Sequence, residues 1–238
     1  MEMGRWGDGE MAALGGLREP RKADQKPGWV KTVKFESEVK LGKTTFACFD
    51  FETNGLSATN DRVIEVAVIR VRGGRLRDQW TTLVNPGDDV GVGRTDIHGI
   101  KKEWLVDAPT FAEIAGDLLA LFHGTLLVAH NSKFDVGFLE AELERAGIPA
   151  SDLDIPNWDT MQIAQAVGAK SRKLEDVARA VGVKIGKAHQ ALDDTEALAK
   201  VVAKVLPILD KKQKAPMFKA PTGLQSTGRA LLRPRVRL

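Results

Sequence analysis

The run Thr45-Phe-Ala-Cys-Phe-Asp-Phe51 constrains this chain more than any other segment. Its β-branched and aromatic residues read as a buried strand, yet the strand ends in Asp50-Phe51-Glu52. Side chains alternate faces along a strand, so Asp50 and Glu52 project to one side and Phe51 to the other. Two carboxylates on one face of a buried strand repel each other and need a cation or a proton to offset the repulsion. Taken alone, the pair also reads as two solvated acids at a strand end.

The neighbouring segments supply a sheet for that strand. Arg62–Val71 is a second apolar run, Gly73-Gly74 turns the chain into Leu76–Val84, and Asn85-Pro86-Gly87 ends it. The three form a meander whose last pair is a hairpin. Thr110-Phe-Ala-Glu113 has the form of a capping box, followed at helical spacing by Ile114, Leu118, Leu121 and Phe122. Leu126–Ala129 is a short all-apolar strand, expected to be covered on both faces. A helix over 134–145 stopped by Gly147, an extended piece at Asn157-Trp158, and helices at 159–167, 173–181 and 191–206 complete the pattern. The order is mixed α/β with a leading antiparallel meander.

Of the 238 residues, 43% are hydrophobic, which suits one full-sized domain with tails and excludes a wholly disordered chain. No apolar run approaches the roughly 18–20 residues of a membrane span. Met11–Leu14 is too short, and too acidic in its flank, for a signal peptide. The lone Cys48 forms no intramolecular disulfide, so the expected location is a reducing cytoplasm. Residues 1–43 are expected to be a largely disordered extension, with 29–43 ambiguous, residues 44–210 the folded domain and residues 211–238 a disordered tail. Residues 44–210 hold 25 acidic against 18 basic residues, whereas 211–238 hold eight Lys/Arg and no acid. An acidic body with a basic tail fits carboxylates that hold cations and a tail drawn to a polyanion.

Two further places put acids where they need a reason. Asp135 follows Ala129-His-Asn-Ser-Lys-Phe134, just past an apolar strand at the start of a helix. Open α/β sheets place ligand sites at such strand ends. In His189-Gln-Ala-Leu-Asp-Asp194, five residues give a net helical rotation of about 140°, so His189 belongs in the turn and Asp194 on the helix that follows. Asp193 points about 100° away from Asp194. Four carboxylates with no cysteine set favour a hard dication such as Mg²⁺ or Mn²⁺. Two such ions about 3.5–4 Å apart are the usual apparatus for in-line attack on a phosphodiester, and a histidine with a pKa near 6.5 suits a general base.

These blocks resemble the DEDDh family of 3′→5′ exonucleases on the ribonuclease H-like fold, and in particular the proofreading (epsilon) subunits of bacterial DNA polymerase III. The resemblance spans about residues 44–206. It rests on Phe49-Asp-Phe-Glu-Thr-Asn-Gly-Leu56, Ala129-His-Asn-Ser-Lys-Phe-Asp-Val-Gly-Phe-Leu139 and the H-x₄-D of His189–Asp194, with Thr95-Asp-Ile-His-Gly-Ile100 between them. The sister DEDDy group has Tyr in place of the histidine, and this chain has no Tyr. The resemblance implies a mixed five-stranded sheet flanked by helices. It implies that Asp50, Glu52 and Asp194 bind a pair of Mg²⁺ ions (Mn²⁺ as substitute), with Asp135 supporting the second ion and His189 acting as base. It further implies that Thr53, Asn54, Gly55, His98, Asn131 and Phe134 lie at the terminal nucleotide, with Leu56 as a wedge against the last bases. Asn131 also reads as a hydrogen-bonding tie at the strand end, and Phe134 as core. The implied partners are 3′ ends of DNA or RNA and a DNA polymerase, with no membrane. DNA exonuclease, RNA exonuclease and a non-cutting polymerase accessory module all stay open on sequence.

Overall fold

The computed structural model describes residues 39–186, 190–207, 214, 215 and 217–221. The expectations for residues 1–38, for His189 and for residues 222–238 lie outside the described residues. Among the described residues, no helix is long and apolar enough to cross a membrane.

Five strands form one mixed sheet: β1 (Thr45–Thr53), β2 (Val63–Arg72), β3 (Arg75–Leu83), β4 (Leu126–Ala129) and β5 (Asn157–Asp159). Their spatial order is β3-β2-β1-β4-β5. β1 pairs antiparallel with β2, and β2 with β3; β1 pairs parallel with β4, and β4 with β5. The parallel registers Cys48↔Val128 and Ala129↔Asp159 bring the C-terminal ends of β1, β4 and β5 to one edge.

Alternation along β1 distributes its side chains between two cores. Phe49 and Phe51, with Val66 and Val68 of β2, pack against α1 (Phe111–Phe122) and α2 (Ser132–Arg145) through Phe111, Ile114, Leu118, Phe122, Phe138 and Leu139. Phe46 and Cys48, with Ile69 and Val71, pack on the other face against Leu198, Ala199 and Val202 of α4 (Ala191–Val205). A smaller cluster joins α3 (Leu174–Ala180) to α4 through Val177, Ala178, Val201 and Val205. β1 is thus buried on both faces, as its apolar composition requires.

The capping box forms as expected: Thr110 Oγ1 accepts from the Glu113 amide, and Glu113 Oε2 accepts from the Thr110 amide at 2.8 Å. The helix expected over 159–167 is instead one regular turn, Thr160–Ile163. Asp159 Oδ1 accepts from the Met161 amide and also from the Asn131 amide. The segment is thereby tied to the α2 entry and turns Ile163 and Ala164 into the α3–α4 cluster.

The sequence reading ended the folded part at residue 210. Met217–Pro221 nevertheless lies against the domain. Phe218 is fully buried, edge-on to Phe122 at 6.2 Å. Its amide donates to the Thr125 carbonyl at 2.8 Å, and its carbonyl accepts from Gly124 at 2.9 Å. Upstream, Lys214 and Ala215 pair antiparallel with Lys40 and Val39. An apolar pair flanked by Pro216 and Pro221 has no period to read, which is why this strap was missed. Phe218→Ala in the full chain removes this packing and is expected to lower the unfolding free energy by about 3 kcal/mol, read from urea denaturation.

Candidate active site

The carboxylates arrive from three elements. Asp50 and Glu52 end the central strand β1, on the face that carries Phe46 and Cys48 toward α4. Asp194 sits in the first turn of α4, with Leu198 and Val202 one and two turns further along the same stripe. Because those two side chains seat α4 on β1 and β2, Asp194 lies over the strand end. One carboxylate oxygen from each of Asp50, Glu52 and Asp194 lies within 4.8 Å of the others.

Asp135 comes from the other side. In the first turn of α2 it is 3% exposed, and its Oδ1 accepts from the Phe51 amide at 3.2 Å. That amide follows Asp50 directly, so the fourth acid is locked to the backbone between Asp50 and Glu52. Burial pushes the Asp135 carboxyl up to about 8, against the pull of the Phe51 N–H and with a contribution from Asp159. Burial also holds the Asp50 carboxyl well above its usual range, reinforced by Asp135, Glu52, Asp194 and Glu65.

Glu65 is the residue the sequence analysis missed. It pairs directly opposite Glu52 on β2, so both side chains share a face. It is 3% exposed, and its Oε2 accepts from the Ala191 amide, the first N–H of α4, at 3.3 Å. An anion at that end of a helix is favoured by the exposed N–H groups and the dipole. Glu65 therefore docks the start of the helix that carries Asp194. The signal was present: Glu65 is the one charged residue in Val63–Ile69.

His189 lies outside the described residues, immediately before Gln190 at the entry to α4. Asp193 faces Gly186, where an added Cβ would come within 3.2 Å of its carboxylate. The remaining candidates differ in exposure and in the hydrogen bonds they make. Leu56 is 87% exposed. Thr53 Oγ1 donates to Gly55 O, and the Asn54 side chain donates to Gly91 O and accepts from the Arg62 amide. Asn131 adopts a left-handed conformation (φ 67°), is exposed, and donates its amide to Asp159. Phe134 is half-buried against Phe138 with ring centroids 4.9 Å apart. His98 is held within its own loop. It is 3% exposed, its Nδ1 accepts from the Ile100 amide and its Nε2 meets the Val92 carbonyl, so the ring braces its own loop.

The RNase T family model, described as Exonuclease, matches residues 47–202. The chain belongs to this exonuclease family. Relatives include a DNA polymerase III PolC-type of Caldanaerobacter subterraneus subsp. tengcongensis, 31% identical over 76% of this chain and 13% of that protein. Another is a DNA polymerase III subunit epsilon-like protein of Rhodobacter capsulatus, 34% identical over 73% of this chain and 25% of that protein. The exonuclease chain thus spans about an eighth to a quarter of the length of these relatives. Among solved structures, E. coli exonuclease I in complex with a dT13 oligonucleotide superposes with a TM-score of 0.60 at 22% identity, over 68% of this chain and 41% of that one. A 3′-exonuclease described for recognition of a histone mRNA stem-loop gives a TM-score of 0.58 at 16% identity, over 78% and 75%. These superpositions establish the shared fold.

An all-carboxylate donor set, half-buried and mutually repelling, fits a hard divalent cation. Because the Asp50 and Asp135 carboxyls are raised on folding, the metal-free folded chain holds more protons than the unfolded chain from about pH 4 upward. The contribution of Asp135 is complete below that pH and is lost as pH rises through about 8, and that of Asp50 is lost in the same direction as pH rises. Asp50→Asn removes one of the repelling charges. It is expected to raise metal-free stability at pH 8.5 by about 1–2 kcal/mol relative to the parent chain, with no difference at pH 4. It is also expected to abolish the rise in melting temperature that Mn²⁺ gives the parent, measured by thermal unfolding with Mn²⁺ or EDTA.

Proposed function

We propose that this exonuclease domain removes nucleotides one at a time from the 3′ end of single-stranded DNA, releasing nucleoside 5′-monophosphates, with Mg²⁺ as its natural ion. The observation that carries this reading is the convergence of Asp50, Glu52 and Asp194 within 4.8 Å, backed by Asp135 on the Phe51 amide. In this reading Asp50, Glu52 and Asp194 hold a pair of Mg²⁺ ions, Mn²⁺ being the substitute, and Asp135 supports the second.

A bound divalent pair supplies Lewis-acid stabilisation of the charge that develops on the phosphate and lowers the pKa of water. The protein's own groups do the rest. His189 takes the proton of the attacking water. The oxygen of that water bonds to phosphorus as the bond to the 3′ oxygen of the preceding nucleotide breaks, and that oxygen takes a proton from solvent water as it leaves. Thr53, Asn54 and Gly55 bring backbone groups to the terminal nucleotide, with Asn131 and Phe134 on the opposite rim. Leu56 stands against the last bases, where its exposed side chain serves an apolar base face.

The polymerase III relatives support a DNA polymerase as the partner, since they carry the matching segment within much longer chains. The same replication reading implies a cytoplasmic location.

The test is digestion of 5′-labelled single-stranded DNA and of the matched RNA oligonucleotide, with Mg²⁺, Mn²⁺ or EDTA. The expected result is a ladder shortening from the 3′ end on DNA, silent in EDTA and absent from Asp50→Ala. Faster cleavage of the RNA would reassign the substrate, and full activity in EDTA would remove the metal from the reading. His189→Gln is expected to lower kcat by about 10²–10⁴ while leaving the Mn²⁺-induced rise in melting temperature intact. An unchanged rate would take His189 out of the role of base.

A further inference from the structure

The connection between β1 and β2 is longer and more tightly held than a connection needs to be. Two antiparallel strands need about two to five residues between them, and this loop runs from residue 54 to residue 62. Its two ends are clamped to each other: the Asn54 amide donates to Arg62 O at 3.0 Å, and the Arg62 amide donates to Asn54 Oδ1 at 2.6 Å. Inside it, the Ser57 amide donates to Asp61 Oδ2 at 2.8 Å, and the Asp61 amide returns to Ser57 O at 2.7 Å. Gly55 lies so close over the Asp61 carboxylate that a Cβ would fall 2.2 Å from it. All this order surrounds an 87% exposed leucine, Leu56.

The outer brace comes from α2. Arg145 Nη2 donates to both Ala58 O (2.6 Å) and Thr59 O (2.8 Å). Arg145 Nη1 also lies 3.3 Å from Glu142, whose side chain is fully buried. Glu142 accepts from Arg62 Nε (2.8 Å), Arg62 Nη2 (3.0 Å) and the Val63 amide (3.1 Å). A buried ion pair is a poor source of net stability, because desolvation consumes much of its attraction. What it does supply is a fixed geometry. The helix that makes these contacts also carries Asp135, seven residues and two turns before Glu142, a rise of about 10 Å. One rigid element therefore holds a carboxylate of the cleavage site at one end and the Leu56 loop further along.

We infer that Arg145 and Glu142 are positioning residues that fix exposed Leu56 at a set distance from the carboxylates, and that this distance determines the preference for an unpaired over a base-paired 3′ end. The inference rests on the exonuclease reading given above. The ligand of Leu56 is the face of a nucleobase next to the 3′ terminus. A loop that moves loses the ordering that binding otherwise uses, so a loosened brace weakens the grip on the oligonucleotide without altering the cleavage site.

The test compares the full chain with Arg145→Met, Leu56→Ala and the double variant on three substrates. These are thymidine 5′-monophosphate p-nitrophenyl ester, a labelled single-stranded DNA oligonucleotide and the same strand in a blunt duplex. The ester has no neighbouring base, so its hydrolysis by Arg145→Met should stay within about twofold of the parent, while KM on the single strand rises about tenfold with kcat nearly unchanged. The single-strand over duplex preference should fall about fivefold in each single variant and no further in the double, since both lesions remove the same contact. Arg145→Lys keeps the charge but has one nitrogen in place of two, so it cannot meet Glu142 through one and the loop carbonyls through the other. It should move KM in the same direction, and it keeps the test decisive where the Met variant folds poorly. Independent, multiplying effects of the two lesions overturn the inference, as does a loss of ester hydrolysis in step with oligonucleotide cleavage. A parent chain that leaves ester and oligonucleotide intact in both Mg²⁺ and Mn²⁺ overturns the exonuclease reading and this inference with it.

Discussion

Repulsion between carboxylates at the end of β1 is the constraint around which the molecule is arranged. Asp50 faces Glu52, Asp135, Asp194 and Glu65, and in water these groups would separate. They stay together because each is fastened to an element that apolar packing has already fixed. β1 is hydrogen-bonded on both sides and buried on both faces, with Phe46 and Cys48 in one core and Phe49 and Phe51 in the other. A fully buried phenylalanine contributes about 2–3 kcal/mol, so the strand's aromatic residues offset the repulsion at its tip. The result is a set of anionic oxygens ordered before any cation arrives. Pre-organisation of that kind is what electrostatic catalysis needs.

Glu65 looks at first like a fifth source of repulsion, but its carboxylate does a different job from the others. It lies outside the three-carboxylate cluster and meets an N–H at the start of α4. The sheet thereby holds α4 at two levels: apolar contacts through Leu198 and Val202 fix how the helix lies across the strands, and Glu65 fixes where its first turn stops. Asp194 is three residues beyond Ala191, so the second contact sets how far its carboxylate reaches over Asp50 and Glu52. The acid on β2 raises the electrostatic cost of the site, yet it also keeps Asp194 in register.

Much of this was legible in the sequence wherever a local pattern and a local cause coincide. The alternation in Asp50-Phe51-Glu52 gave the shared face of the two acids, Thr110-Phe-Ala-Glu113 gave the capped start of α1, and the apolar runs gave the strands of the sheet. What escaped has its cause in residues distant in sequence. Phe218 is buried only because Gly124 and Thr125 offer free backbone groups beside Phe122. The 159–167 helix shrinks to a single turn where Asp159 binds the α2 entry at Asn131. Glu65 falls between these cases, since a lone acid in an apolar strand announces that it needs a partner without saying which.

The same logic separates the two ends of α2. At its start Asp135 is buried with its charge opposed by its surroundings, which suits a group meant to respond to a cation. Two turns later Glu142 is equally buried but fully answered by Arg62, Arg145 and the Val63 amide. A carboxylate satisfied from every side has nothing left to offer a ligand, so its burial serves geometry. The Asp135 carboxylate, met by the backbone N–H groups of Phe51 and of its own residue, keeps its electrostatic demand. Burial alone does not distinguish a binding acid from a bracing one; the count of donors that meet it does.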